Sequence, residues 1–255
     1  LFKNAHNYNF FIFTLRDPLD RAISSFLYTH PKNRAVELYN DYKDRLTTEQ
    51  FKNEMKGKGS EKNLMESFEK KVQKEDRILY SCFPLLESYA GALDDFHDYE
   101  EREDWEELIR IGECSKVAKM TLNHGIPNAM QHQYWDLRKI SEELRDIDLK
   151  NLTVFMIRTN ALVKDWKNIN NYLGQEGNVT ISPNTSHARN SKSRDYPIKN
   201  ILSIEARQKL CLYLEKEYEV YLQLLIYAEN IKPKDLSDNF KHAQKNCPWL
   251  NLKIP

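Results

Sequence analysis

Two short runs of consecutive apolar residues stand out in a chain whose remaining apolar positions mostly follow helical spacing. Residues 8–15 (YNFFIFTL) and 152–157 (LTVFMI) have the length and continuity of strands buried on both faces, as in a parallel sheet. Each run is followed by apolar residues at helical spacing, over residues 19–28 and 162–173, and Pro18 suits a first helical turn. The pattern predicts strand–helix units and therefore an α/β fold.

The region after the first unit is predicted to be helical. Residues 34–78 are highly charged and poor in large apolar side chains, which predicts a helical insertion with a solvated surface and a break at 56–60. Amphipathic spacing predicts a helix over 79–98, begun near Pro84, and a helical stretch over 113–145 that is interrupted at residues 125–127.

The last third of the chain is predicted to contain a loop, a long helix and a tail. Residues 175–200 are polar and predict a long loop of a kind that is often functional. Ser203 opens a final long helix, and residues 232–255 are predicted to form an irregular cover. Together these elements are interpreted as a single domain over residues 1–255.

Composition indicates a globular protein without a global charge field. The chain has 38 acidic and 38 basic residues, so nucleic acid is not expected as a partner and an anionic ligand needs a local basic site. No apolar run has the length of a membrane span, and the first residues do not match a signal peptide. Because the chain opens with Leu1 and a strand, we expect upstream sequence, including any membrane anchor, to be absent from it.

Cysteines and glycosylation sequons favour a secretory compartment. The four cysteines form no Cys-x-x-Cys pair, which disfavours a zinc site, and no metal is expected. We expect the disulfides Cys82–Cys114 and Cys211–Cys247; four buried thiols in a cytosolic protein are the alternative. The three sequons begin at Asn151, Asn178 and Asn184.

The first strand ends in residues suited to binding a phosphate. Arg16 lies at the predicted carboxyl end of the strand, where open α/β sheets bind ligands, and Ser24 lies two turns into the following helix. The guanidinium offers a charge-assisted fork and the hydroxyl a further donor. The alternative is an ordinary strand and helix in which Arg16 or Arg21 forms a buried ion pair with an acid.

This segment resembles the 3′-phosphate-binding motif of sulfotransferases that use 3′-phosphoadenosine-5′-phosphosulfate (PAPS). In that family an arginine two residues before proline, and a serine eight residues after that arginine, hold the 3′-phosphate; Arg16 and Ser24 occupy these positions. Arg21 and Phe26 resemble the secretory, carbohydrate-modifying branch. The resemblance implies a P-loop NTPase-like three-layer sandwich with a short parallel sheet and many helices.

The function implied by the resemblance is transfer of a sulfuryl group from PAPS, as co-substrate, to a hydroxyl of a glycan acceptor. It implies a location in the Golgi lumen, or alternatively secretion. Residues 154–159 and the stretch from Leu202 to Asn230 resemble later parts of the family, although Asn160 stands where relatives commonly have an acid. In the family a basic loop covers the nucleotide, which implies contacts from Arg189 and Lys192; a solvated, glycosylated loop is the alternative.

Two parts of the sulfotransferase site are less well defined in the sequence. The family's lysine-bearing loop for the 5′-phosphosulfate is not found in residues 1–255. Residues 56–60 have a suitable composition of Gly, Lys and Ser, but they follow no buried strand and lie after the 3′-phosphate motif. The family uses His or Glu as the acceptor base, and His132 is our candidate, with His124 and His30 as alternatives. The competing interpretations are a non-catalytic sulfotransferase-like binding or structural subunit and a P-loop kinase-like protein acting on a nucleotide.

Overall fold

The computed structural model describes residues 10–93, 105–124, 153–174, 197–198 and 200–252. The chain divides into two compact units. The described residues of the first unit are 10–21, 153–174 and 210–252, and those of the second are 22–93, 105–124, 197–198 and 200–209.

The described residues form two strands and eleven helices, so the fold is mostly helical but broadly α/β, as predicted. In chain order they are β1 (Phe10–Leu15), α1 (Pro18–Thr29), α2 (Pro31–Asp44), α3 (Thr48–Lys58), α4 (Glu61–Cys82), α5 (Leu86–Gly91), α6 (Trp105–Arg110), α7 (Cys114–His124), β2 (Thr153–Arg158), α8 (Leu162–Tyr172), α9 (Ile204–Tyr213), α10 (Glu215–Tyr227) and α11 (Pro233–Asn246).

The two predicted strands exist and pair in parallel. The register runs from Phe10 opposite Thr153 to Leu15 opposite Arg158. Burial on both faces is correct for β2, but it is wrong for β1, where Phe10 is 45% and Ile12 38% exposed. Within the described residues β1 pairs only with β2, and the apolar face of α8 packs on β2. The exposed residues Phe10, Ile12 and Thr14 alternate along β1, so they belong to one face of this strand.

Among the described residues, the edge of β2 that faces away from β1 is bonded by the Asn230 side chain and the Glu229 backbone rather than by another strand. Asn230 accepts from the Met156 N–H at 2.9 Å and donates to the Met156 carbonyl oxygen at 2.8 Å. The Glu229 N–H donates to the carbonyl oxygen of Val154, which also lies in β2, at 3.0 Å. These bonds satisfy backbone groups that a sheet edge otherwise leaves open to a new strand.

The second unit is built around an aromatic cluster. Phe26 packs against Tyr89 with ring centroids 5.2 Å apart and against Tyr80 at 5.4 Å. Helix α2 packs on α4, and α3 ends before Gly59, whose φ of 85° is readily adopted only by glycine. The predicted break within residues 56–60 is therefore confirmed at Gly59.

Three predicted boundaries are wrong. Residues 79–82 belong to the end of α4, which stops before Pro84, whereas α5 starts at Leu86, close to the predicted start; residues 94–98 lie outside the described residues. The predicted long helix after Ser203 is interrupted at Leu214, which separates α9 from α10. The predicted irregular tail contains α11, which starts with Pro233 in its first turn and buries Phe240 and Ala243.

Both predicted disulfides are confirmed. Cys82 pairs with Cys114 in the second unit and Cys211 with Cys247 in the first, and no cysteine is free. Two disulfides indicate a secretory or extracellular compartment and exclude the alternative of four buried thiols. Within the described ranges, no helix combines the length and the hydropathy that a membrane span requires.

His30 is a buried residue of the second unit whose two ring nitrogens are both engaged, which disfavours it as an acceptor base. It is 4% exposed, its Nδ1 accepts from the Lys32 N–H at 3.2 Å, and its Nε2 lies 3.2 Å from the Pro84 carbonyl oxygen. The first nitrogen acts as an acceptor and the second as a donor, which is the neutral form of the ring. Burial lowers the pKa of His30 from 6.5 to about 4.

The lowered pKa of His30 predicts an acid-sensitive fold. Between pH 6.5 and about 4, the unfolded chain binds a proton at His30 that the folded chain does not bind. The free energy of unfolding should therefore fall as pH drops through this window, by on the order of 2 kcal/mol after allowance for solvent screening. Urea unfolding of the chain and of His30→Gln, at pH values on both sides of the window, measures this contribution. If the free energy of unfolding depended equally on pH in the two proteins, the acid sensitivity would belong to groups other than His30.

Candidate functional site

The carboxyl ends of β1 and β2 lie side by side at the same end of the sheet. The Thr159 N–H donates to the Leu15 carbonyl oxygen at 2.9 Å, so the two strands remain together to their ends. Arg16 and Thr159 are the first residues beyond the strands. In open parallel sheets this end is where ligands bind, and it is where the sequence predicts the phosphate-binding arginine.

The turn after β1 is fixed by Asp17. Its carboxylate accepts from the Asp20 N–H at 3.1 Å, at the start of α1, and from the Tyr218 hydroxyl of α10 at 2.9 Å. Burial raises the pKa of Asp17, and the bonds from Asp20 and Tyr218 partly offset this. Asp17 thus fixes the backbone that carries Arg16.

Two arginines near this end are fully engaged with carboxylates. Arg21 donates from Nε and Nη2 to the two oxygens of Glu217, at 3.1 and 3.0 Å. Arg158 donates from Nε at 2.9 Å and Nη2 at 2.5 Å to the two oxygens of Asp165. Although burial opposes its charge, Asp165 raises the pKa of Arg158. The alternative of a buried ion pair is therefore correct for Arg21.

Arg16 differs from both of these arginines. Its side chain is half-buried, yet within the described part of the chain no carboxylate or other polar side chain bonds to it. A permanently charged group that is partly withdrawn from water and lacks a counter-ion favours an anionic ligand. Arg16 can thus offer its full set of N–H donors to a phosphate.

Ser24, the second predicted phosphate ligand, belongs to the second unit. It lies in α1, half-buried, and its hydroxyl has no hydrogen-bond partner among the described residues. A serine inside a helix often bonds back to the preceding turn, so an unengaged hydroxyl remains available as a donor.

A small polar cleft opens beside the end of β2, within the first unit. Its volume is about 260 Å³. The end of β2, the residues that follow it and helix α11 line this cleft: Arg158, Asn160, Lys164, Asp235, Asp238, Asn239 and His242.

Sequence reasoning missed the part of this cleft that α11 supplies, because residues 232–255 were interpreted as irregular. A helical signal is present in that stretch. Pro233 is followed by Leu236, Phe240 and Ala243 at helical spacing, which would have placed Asp238 and His242 on one helix face.

Several predicted site residues lie outside the described residues: His132, Arg189, Lys192 and the sequons at Asn151, Asn178 and Asn184. The side chain of His124 is likewise not described. Among the residues that are described, no group of three or more His, Cys, Asp or Glu side chains is arranged to hold a metal ion.

Comparison with known proteins returned no match to any protein-family model, any curated protein or any solved structure.

Proposed function

We propose that this protein is a PAPS-dependent sulfotransferase of the secretory pathway, acting in the Golgi lumen on a hydroxyl of a glycan. The proposal rests mainly on the burial of the Arg16 side chain and on its lack of a bonded partner among the described residues. Arg21 and Arg158 are bonded to carboxylates, whereas Arg16 is half-buried without a partner among the described residues. It stands at the position where the sulfotransferase motif has its 3′-phosphate ligand.

In this proposal each group has a defined part. Arg16 binds the 3′-phosphate of the donor, and the motif spacing assigns Ser24 to the same phosphate. Arg189 and Lys192 cover the nucleotide, and His132 accepts the proton of the acceptor hydroxyl. The acceptor oxygen forms a bond to sulfur as the bond from sulfur to the 5′-phosphate oxygen breaks, which leaves 3′-phosphoadenosine-5′-phosphate (PAP). The proposed fold is P-loop NTPase-like.

A non-catalytic sulfotransferase-like binding or structural subunit is the second candidate. Asn160 favours it, because relatives commonly have an acid at this place beyond β2. This candidate binds a glycan or belongs to an assembly, and it predicts no sulfuryl transfer from PAPS to any glycan.

The proposal is tested by calorimetric titration of the full-length protein with PAP. Replacing Arg16 with alanine removes a charge-assisted phosphate contact and should weaken PAP binding on the order of a hundredfold. Arg110→Ala is the matched control, since it removes an equal charge from an exposed arginine of the second unit. Its affinity for PAP should equal that of the unchanged protein.

Two outcomes would contradict the proposal. Absence of PAP binding to the full-length protein would exclude a PAPS-dependent enzyme, and equal affinities of Arg16→Ala and Arg110→Ala would place the phosphate elsewhere. A second assay, transfer of labelled sulfate from PAPS to a glycan mixture, separates the two candidates. Tight PAP binding without transfer would favour the non-catalytic subunit.

A further inference from the structure

We infer that the polar cleft at the carboxyl end of β2 is a carbohydrate subsite that accepts a single uncharged sugar ring. Its assignment to the glycan acceptor rests on the proposed function, but binding of a sugar can be measured without the donor. The cleft of about 260 Å³ lies slightly below the usual size of small-molecule pockets, so it suits one compact ligand.

Four of the charged groups at the cleft are paired with one another. Arg158 is held by Asp165, and its Nη2 also lies 3.7 Å from the Asp235 carboxylate. Lys164 forms a salt bridge with the same Asp235. The Asn239 amide donates to the Asp235 carbonyl oxygen at 2.7 Å and accepts from the Tyr221 hydroxyl at 3.1 Å. These bonds make a fixed polar wall whose charges are already paired.

Other residues of the cleft offer groups that remain available. Asn160 and Asp238 are exposed, and neither side chain has a hydrogen-bond partner among the described residues. His242 is half-buried, one turn from Asp238 on the same helix, with its Nε2 3.0 Å from the Asn246 amide nitrogen. An amide, a carboxylate and an imidazole together supply both donors and acceptors within a small volume.

This lining favours a neutral polyhydroxylated ligand over an anion or a nucleotide base. Arg158 and Lys164 are already paired with Asp165 and Asp235, and Asp238 adds a further carboxylate, so the cleft has no excess positive charge to attract a phosphate. Among the described residues the lining includes no Phe, Tyr or Trp side chain, so a base would have only the His242 ring on which to stack. Sugar hydroxyls both donate and accept, and they match such a mixture of groups.

The inference is tested on the full-length protein without donor, using methyl β-galactoside, methyl N-acetyl-β-glucosaminide and methyl β-glucuronide as probes in ligand-observed NMR. At least one neutral glycoside should bind, and the charged glucuronide should bind no more tightly. Asp238→Ala should weaken the bound glycoside roughly tenfold, as expected for loss of a hydrogen bond to a charged group. Asn160→Ala should weaken it in the same direction.

The matched control is Lys241→Ala, which changes an exposed residue of α11 that does not line the cleft. It should leave glycoside binding unchanged. Inorganic phosphate provides a test of opposite sign, because removal of the Asp238 charge strengthens binding of an anion in the cleft but weakens binding of a sugar.

The outcomes separate this inference from the proposed function. If PAP binds but no glycoside does, or if Asp238→Ala behaves like Lys241→Ala, the subsite is overturned and the donor site is unaffected. If a glycoside binds and responds to Asp238→Ala while PAP does not bind, the subsite stands and the sulfotransferase proposal fails. A phosphate affinity that exceeds the glycoside affinity and rises in Asp238→Ala would assign the cleft to anions and overturn the inference.

Discussion

Replacing Glu217 with alanine should lower the free energy of unfolding by about 3 to 5 kcal/mol, because it leaves the buried guanidinium of Arg21 without its carboxylate. The two side chains are 6% and 0% exposed and are joined by two parallel hydrogen bonds. Burial raises the pKa of Glu217 and the Arg21 charge opposes that rise, so the carboxylate and the guanidinium depend on each other. Urea-induced unfolding of the two proteins measures the difference.

The matched control is Glu107→Ala in the second unit. Glu107 forms the same two-bonded arrangement with Arg110, but these side chains are 50% and 70% exposed, so the variant should unfold almost as the unchanged protein does. A second variant, Arg21→Met with Glu217→Leu, should recover most of the lost stability because it removes both buried charges at once. Equal losses in Glu217→Ala and Glu107→Ala would mean that burial does not set the cost.

The sequence predicted the sheet but not how its strands are covered. Continuous apolar runs correctly indicated β1 and β2 and their parallel pairing. The same pattern in β1 predicts burial on both faces, whereas Phe10 and Ile12 are exposed. An apolar run defines what a strand can bury, whereas the cover depends on α8, whose position follows from long-range packing that local spacing does not encode.

The candidate site could be predicted from the sequence only where its residues are close in the chain. Arg16 was located from its place at the end of a strand. The sequence could not decide which arginine is paired, because the partner of Arg21 is Glu217, 196 residues away. Asp238 and His242 were missed for a different reason: charged residues flank the apolar positions of α11, and Pro233 was not recognised as a helix start.

Removing the Cys211–Cys247 disulfide, with both cysteines replaced by alanine, should lower the free energy of unfolding by about 4 kcal/mol. The bond closes a segment with a sequence separation of 36, and its loss restores the conformational freedom of that segment to the unfolded chain. Cys247 is also fully buried, with its sulfur 3.7 Å from the Tyr218 hydroxyl that holds Asp17. The same variant should therefore loosen the turn that carries Arg16 and weaken PAP binding.

The Cys82–Cys114 disulfide provides the comparison, because its sequence separation of 32 predicts nearly the same entropic stabilisation. Replacing that pair with alanine should lower the free energy of unfolding by a similar amount, measured by urea unfolding with the Cys211–Cys247 disulfide intact. Its unit contains Ser24 but neither Arg16 nor Asp17, so PAP affinity measured below the unfolding transition should fall less than on removal of Cys211–Cys247. If both double variants weakened PAP binding equally, the effect would follow from general destabilisation. A selective loss on removal of Cys211–Cys247 would instead indicate that the contact from Cys247 through Tyr218 to Asp17 positions the phosphate-binding turn.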